Sequence, residues 1–396
     1  MLNKYDKIIS KIEEMSISAQ PRRCLRNHSS SCSLCLDKCP VKAISIDSSE
    51  ETRSTPRVDF RLCNRCGICA ALCPTEVFKI TDITDEKILL YIEMLSDYTS
   101  ALAFGCSYQA ERQEMVNSVP VITLPCLGRL NEAMLLAPAT HGISTTWINS
   151  SSCEECPNQA LSLIKRTVRT SQELLEIFQS QSKIFLGPEP PKAVKKRRPF
   201  RKKLPPLADF EPFSRRGFFE NIRKSVVEVG VLLVEGELAP FLREPELPRA
   251  EYHLPGGRRS LLDLLKKLKK PDPSEVAIGD FPFLSLKISE SCSGCESCVY
   301  YCPTRALTKV RLSEETAGLQ FSISRCTKCD LCRELCPEKA IHYREFFNPD
   351  VLLSERKEPL ISFGSYTCKR CKSEFLSSEP ANLCRYCRKK QAIFGS

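Results

Sequence analysis

The stretch Cys292-x2-Cys295-x2-Cys298-x3-Cys302-Pro303 is followed by Cys326-x2-Cys329-x2-Cys332-x3-Cys336-Pro337. Two-residue gaps let a tight loop aim three sulfurs at one point, and a centre that needs soft, deprotonated ligands is served by four such thiolates. The proline after each last cysteine can open a helix beside the centre. Two such runs in succession read as metal ligation rather than as scattered structural thiols.

Both halves resemble bacterial-type two-cluster [4Fe–4S] ferredoxins, and the spacing is a full match. The resemblance implies crossed ligation. Cys292, Cys295, Cys298 and Cys336 would hold one cube, and Cys326, Cys329, Cys332 and Cys302 the other.

Residues 24–80 read as a second copy. Cys63-x2-Cys66-x2-Cys69-x3-Cys73-Pro74 is complete, and Cys32-x2-Cys35-x3-Cys39-Pro40 supplies three more ligands. The 23 residues between Cys39 and Cys63 equal the number between Cys302 and Cys326, which argues for an internal duplication. Where the pattern asks for a first cysteine, this chain has Ser29, and Cys24 is the nearest substitute. By the same crossing, Cys24, Cys32, Cys35 and Cys73 would form one set, and Cys63, Cys66, Cys69 and Cys39 the other. His28 or an incomplete cluster is the alternative to Cys24. Each Cys-Pro is expected to lead into a short helix and then a strand: Val41–Ile46, Thr75–Ile80, Thr304–Val310 and Glu338–Tyr343.

Between the two copies the period changes. Ile88–Ile92, Ala101–Phe104, Val119–Leu124 and Ile143–Ile148 read as strands, and Gln109–Val116, Asn131–Thr140 and Ala160–Gln179 as helices. This alternation predicts a small α/β layer with a mostly parallel sheet. Cys106, Cys126, Cys153 and Cys156 fall just past the carboxyl ends of those strands, the edge where open α/β sheets assemble their sites. The residues Ala103-Phe-Gly-Cys106, Pro125-Cys-Leu-Gly-Arg129 and Cys153-Glu-Glu-Cys156 resemble the delta subunit of methyl-viologen-reducing hydrogenases. That resemblance implies a [2Fe–2S] cluster on these four cysteines and contact with partner oxidoreductases. Zinc, a redox-active Cys153/Cys156 dithiol and inert thiols are the alternatives.

The tail carries Cys368-x2-Cys371-x12-Cys384-x2-Cys387, two knuckles that suit the tetrahedral cage of a zinc ribbon, with rubredoxin-like iron as the alternative. All 24 cysteines are thereby assigned: sixteen to four cubes, four to the α/β site and four to the ribbon. Cysteine at about 6% of the chain, mostly in C-x2-C pairs, points to metal sites in a reducing, cytoplasmic and anaerobic setting rather than to disulfides.

The fold class expected is therefore α+β and multidomain, with two dicluster ferredoxin-like modules flanking a small α/β domain and a C-terminal zinc ribbon. Boundaries fall at 1–22 (an amphipathic helix), 23–85 (first module), 86–186 (α/β domain), 187–213 (basic Pro-rich linker), 214–284 (mostly helical connection), 285–350 (second module) and 351–396 (ribbon). The linker holds eight basic residues among the twelve of Lys192–Lys203, most simply a solvated tether. Ser214-Arg-Arg-Gly-Phe-Phe219 matches the twin-arginine export pattern, but it lies inside the chain and is read as the start of the second half. Leu261, Leu262, Leu265 and Leu268 form the apolar stripe of a basic helix, fit for core packing or for a membrane surface. No run is long enough to cross a bilayer.

The formal charge of +10 counts cysteines as neutral. Six thiolate-ligated sites at about −2 each bring the loaded protein to about −2, which weakens any case for nucleic-acid binding. With no phosphate loop, dinucleotide fingerprint or zinc-protease motif, nothing marks a catalytic site. The expected role is an electron-transfer subunit serving partners of the hydrogenase, formate dehydrogenase or flavoenzyme type. The alternative is a redox-sensing regulator or assembly factor that uses the ribbon and basic linker on nucleic acid or a client.

Overall fold

The computed structural model describes residues 17–47, 55–107, 115–116, 119–191, 207, 210, 254–272, 274–354 and 356–394. Within them the chain mixes helix and strand around two cysteine-rich modules. The N-terminal amphipathic helix expected over residues 1–22 falls mostly outside the described residues, as do Lys192–Lys203, Ser214–Phe219 and most of Gln109–Val116.

Each module is framed the same way. In the first, Ile17–Ala19 pairs antiparallel with Phe78–Ile80, and Ile44–Asp47 pairs with Thr55–Val58. In the second, Leu286–Ile288 pairs with Ile341–Tyr343, and Leu307–Arg311 with Thr316–Phe321. Ile17–Ala19 therefore closes the first module's outer sheet and belongs to it rather than to a separate N-terminal helix. The helix expected after each Cys-Pro lies before it instead, at Leu34–Asp37, Ile68–Leu72, Ser297–Tyr300 and Leu331–Glu334. The third cysteine of each loop sits in that helix, and the proline leads a turn into the following strand.

The middle unit is a five-stranded sheet ordered Met115–Val116, Val119–Leu124, Ala101–Cys106, Thr145–Asn149, Lys183–Gly187. All its pairings are parallel except that of Met115–Val116, which read as the end of a helix and is a short antiparallel edge strand. Alternation along the central strand divides its faces. Leu102 and Phe104 pack into the main core with Ile122, Leu124 and Ile148, whereas Ala101 and Ala103 meet Val119 and Trp147 on the other side.

Ile88–Ile92, read as a strand, lies within the helix Asp85–Ser96. Thr84 caps that helix by accepting a hydrogen bond from the Lys87 amide at 3.1 Å, and Asp85 and Glu86 suit its positive end. Ile88, Tyr91, Ile92 and Leu95 are buried at i, i+3, i+4 and i+7, the helical stripe that a five-residue apolar run conceals.

The basic helix Gly256–Lys267 buries Leu261, Leu262, Leu264 and Leu265, and it packs on the helix Glu132–Thr140 of the middle unit. Each such leucine contributes roughly 1.5–3 kcal/mol of burial. Its apolar stripe is thus core. Through it the middle unit and the second module share one continuous core, while Ile17, Cys24, Ile44, Val77 and Phe78 form a smaller core of the first module. Among the described residues no helix is long and apolar enough to cross a membrane.

The tail segment does not stand apart. Glu358–Thr367 pairs with Thr316–Phe321 of the second module and with Glu374–Ser377, giving one four-stranded sheet. Gly294, in the loop between Cys292 and Cys295, presses against it. At its φ of +66°, an added Cβ would lie 2.9 Å from both the Cβ and the carbonyl oxygen of Leu376. Gly142 has φ +75° with nothing within 4 Å of an added Cβ. We therefore expect Gly142→Ala to cost about 1 kcal/mol from backbone conformation alone, and Gly294→Ala about 2–3 kcal/mol because a clash is added. Thermal unfolding of the two variants checks the difference.

Candidate iron–sulfur and metal centres

The Cys-Pro turn is built four times over. After Cys39, Cys73, Cys302 and Cys336, the amide three residues on donates to the cysteine carbonyl at 3.2–3.3 Å. That third residue has positive φ in every case: Lys42, Glu76, Arg305 and Lys339. The left-handed step costs a non-glycine residue about 1–2 kcal/mol. It turns the next amide onto sulfur, so that Ala43, Val77 and Ala340 donate to the Sγ atoms of Cys39, Cys73 and Cys336 at 3.2, 3.3 and 3.2 Å. An N–H aimed at sulfur favours its ionised form.

The three complete loops share a second signature. Arg65 and Gly67, Gly294 and Glu296, and Lys328 and Asp330 all have positive φ, at equivalent places between the first and third cysteines. The irregular loop lacks this pair. Instead two 3₁₀ turns, Pro21–Arg23 and Leu25–His28, flank Cys24, and Ser29 at φ +62° turns the chain back. Asn27 Nδ2 donates to the Pro21 carbonyl at 2.8 Å and Arg26 Nη1 to the Cys32 carbonyl at 2.7 Å, which ties Cys24 and Cys32 together.

The thiols gather in sets. Cys24, Cys32, Cys35 and Cys73 line one cavity, and Cys39, Cys63, Cys66 and Cys69 another. Burial pushes the Cys35 thiol up to about 12, with Cys73, Cys24 and Cys32 adding to the rise. Burial first, then Cys292, Cys295 and Cys336, raises Cys298 to about 12. Cys329 and Cys332 are raised by burial and then by Cys326 and Cys302 among their neighbours. Crowded sulfurs that resist ionisation are what an unloaded thiolate cage should show, since its negative charge lacks the cation that would balance it. The residues fit such a group.

Neighbouring sets lie within electrostatic reach of each other. Cys35 is among the groups that raise Cys69, and Cys298 among those that raise Cys332. The two modules meet directly: His28 lies 5.5 Å from Tyr301 between ring centroids, and Ser31 Oγ donates to Glu334 Oε1 at 2.5 Å.

At the middle sheet, Cys106 ends the central strand, while Cys126, Cys153 and Cys156 follow the strands on either side of it. All four are buried, and burial followed by Cys106, Cys126 and Cys156 pushes Cys153 up to about 12. Cys126 accepts from the Gly128 amide at 3.4 Å. A Cβ on Gly128 would sit 2.7 Å from Ala160 Cβ and 2.8 Å from Ile68 Cγ1, so only glycine lets this loop lie on the first module. Cys126 is among the groups that raise Cys66. The middle site thus adjoins the first module beside Cys66. Arg129 is buried in the same junction, with Nη2 donating to Ile83 O and Asp85 Oδ1.

In the tail, the ligand atoms of Cys368, Cys371, Cys384 and Cys387 lie within 4.8 Å of one another, a group that could hold a metal ion. Amide donors from Cys371 and Cys384 bring Cys368 down to about 6, opposite in direction to the module thiols, while burial first raises Cys387 to about 12. Sequence reasoning grouped the thiols by spacing but gave no role to Arg129, Arg258 or the amides that point at sulfur. Only the invariant Cys-Pro spacing hinted at the last.

Residues 30–77 and 291–340 each match the 4Fe-4S dicluster domain family. The chain is 35% identical over 64 residues to the ferredoxin-type protein NapF of Haemophilus influenzae, covering 16% of this chain and 36% of that protein. It is 39% identical over 62 residues to the ferredoxin-like protein in nif region of Azotobacter vinelandii, covering 14% of this chain and 60% of that protein. The chain therefore spans about a third and three fifths of the lengths of these relatives. Two dicluster domains are present.

If Cys24 replaces the missing first ligand, Cys24→Ser loses about four irons per chain, whereas His28→Ala keeps them. Iron and acid-labile sulfide analysis of the two variants, purified without oxygen, checks this.

Proposed function

We propose that this chain is an electron-transfer subunit with its redox sites in one ordered line. Cys24, Cys32, Cys35 and Cys73 would hold one [4Fe–4S] cluster and Cys39, Cys63, Cys66 and Cys69 a second. Cys302, Cys326, Cys329 and Cys332 would hold a third, and Cys292, Cys295, Cys298 and Cys336 a fourth. Cys106, Cys126, Cys153 and Cys156 are proposed to hold a [2Fe–2S] cluster, and the tail cysteines zinc. A cluster bound at each set supplies a one-electron couple.

The observation that carries this reading is the adjacency of the sets. Cys126 and Cys66, Cys69 and Cys35, and Cys332 and Cys298 lie within electrostatic reach of each other, Gly128 packs on Ile68, and Tyr301 beside Cys302 lies against His28. The order runs from the middle sheet through the first module into the second and ends beside the tail. There, an Arg385 guanidinium donates to Ser293 Oγ at 3.2 Å and pairs with Glu338 at 2.8 Å.

The chain's residues keep water out, fix the spacing and aim amides at sulfur, and these contributions set how readily each site takes an electron. The two outer ends are the natural contacts for partners. The resemblance of the middle unit to a hydrogenase subunit supports a donor or acceptor of the hydrogenase, formate dehydrogenase or flavoenzyme type at that end.

Metal analysis of the anaerobically purified chain tests the assignment. It requires roughly eighteen irons with one zinc. About sixteen irons with two zincs would remove the [2Fe–2S] site, and about fourteen with one zinc would remove the Cys24 cluster.

A further inference from the structure

Arg258 is a buried cation that the relay itself does not require. It lies on the helix Gly256–Lys267 with 5% of its surface exposed. Nε and Nη2 donate at 2.9 Å each to the carbonyls of Ser324 and Ile323, and the guanidinium carbon stands 4.9 Å from the Phe283 ring centroid. Nη1 has no hydrogen-bond partner among the described residues. Ser324 and Ile323 form the turn that delivers Cys326, whose amide donates back to the Ile323 carbonyl at 3.1 Å. The fork is thus clamped two and three residues before a proposed ligand, and the Cys326 sulfur lies within electrostatic reach of the guanidinium.

A buried guanidinium with one unsatisfied N–H is costly unless a negative group lies within reach. Glu132 faces it from the helix Glu132–Thr140, but burial raises that carboxyl toward its neutral form, and its Oε1 accepts from Thr170 at 3.2 Å. Lys328 adds a second cation near Cys326, with Nζ donating to the carbonyls of Gly279 and Phe281. Acidic groups bear on both sets of this module, Asp330 on Cys329 and Glu338, paired with Arg385, on Cys292, so the buried cation is what distinguishes the Cys326 set.

Resting on the relay reading above, we propose that Arg258 raises the reduction potential of the cluster held by Cys302, Cys326, Cys329 and Cys332. That cluster then becomes the one in its module that keeps the electron. Reduction adds one electron and one negative charge, breaks no bond and moves no proton through Arg258. A fixed cation in a dry site stabilises the reduced form more than the oxidised one. Burial draws Arg258 down to about 10, which leaves it cationic at neutral pH.

The test is a dithionite titration of the full chain, purified without oxygen and followed by spin resonance, with iron content measured first. Arg258→Met keeps the alkyl stem and removes the charge. One reduction step should become at least tenfold less favourable, about 59 mV for one electron, with the others unmoved. Arg258→Lys keeps the charge, and its steps should stay within about threefold of the parent. A fully loaded Arg258→Met protein with unaltered steps would overturn the proposal, as would an Arg258→Lys shift equal to that of Met. Should Arg258→Met fail to retain iron, Arg258→Lys alone decides, because a tenfold shift at constant charge contradicts the electrostatic role. Parent protein without reducible clusters would remove the relay reading and this proposal together. Intact clusters that ignore Arg258 would remove the proposal alone.

Discussion

Four sulfurs brought to one buried point repel one another as soon as they ionise, and the rest of this chain is arranged around that repulsion. Burial raises the thiols of Cys35, Cys298 and Cys329 because no solvent screens the charge, and neighbouring thiols raise them further. Two devices oppose the repulsion. One is the cation that a bound metal centre brings. The other is the backbone, which spends left-handed residues at Lys42, Glu76 and Lys339 to turn an amide onto sulfur. The strain is local and recurs at the same step of each module, which marks it as part of the cage rather than an accident of one loop.

The units are joined by close packing, and buried cations stand at the junctions where they can offset charge that no solvent screens. Gly128 lies against Ile68 at a distance no side chain allows, and Gly294 lies against Leu376 in the same manner. Arg129 at the first junction and Arg258 at the second bring buried positive charge beside the second loop of each module. The tail strand Glu358–Thr367 extends the second module's sheet, so the Cys368 group is held against the Cys292 loop rather than on a tether.

Much of this was legible in the sequence, for a physical reason. Ligand spacing is a local property, so the cysteine loops and their duplication could be read directly. The short apolar runs at Ala101–Phe104 and Val119–Leu124 pointed to the parallel strands in the same way, and the first extends to Cys106. The misreadings arose where local pattern is ambiguous or where the deciding contact is distant. Ile88–Ile92 is too short to separate helix from strand without its cap at Thr84. The helix of each cysteine loop was placed after the Cys-Pro because proline favours a first helical turn, but here the turn must carry the amide back to sulfur. Arg258 looks like a solvated residue on a basic helix until the fold brings Ser324 and Ile323 to it. The contact of His28 with Tyr301 joins residues 273 positions apart, which no local pattern foretells.

The central claim is that the thiol sets hold clusters close enough to act as one line. Low-temperature spin resonance of the fully reduced, anaerobically isolated chain addresses it most directly. Adjacent reduced clusters should broaden one another's signals through spin–spin interaction, with the total integrating to about one spin per loaded cluster. Sharp, independent signals from magnetically isolated clusters, or a reduced protein with no such signals, would contradict the account.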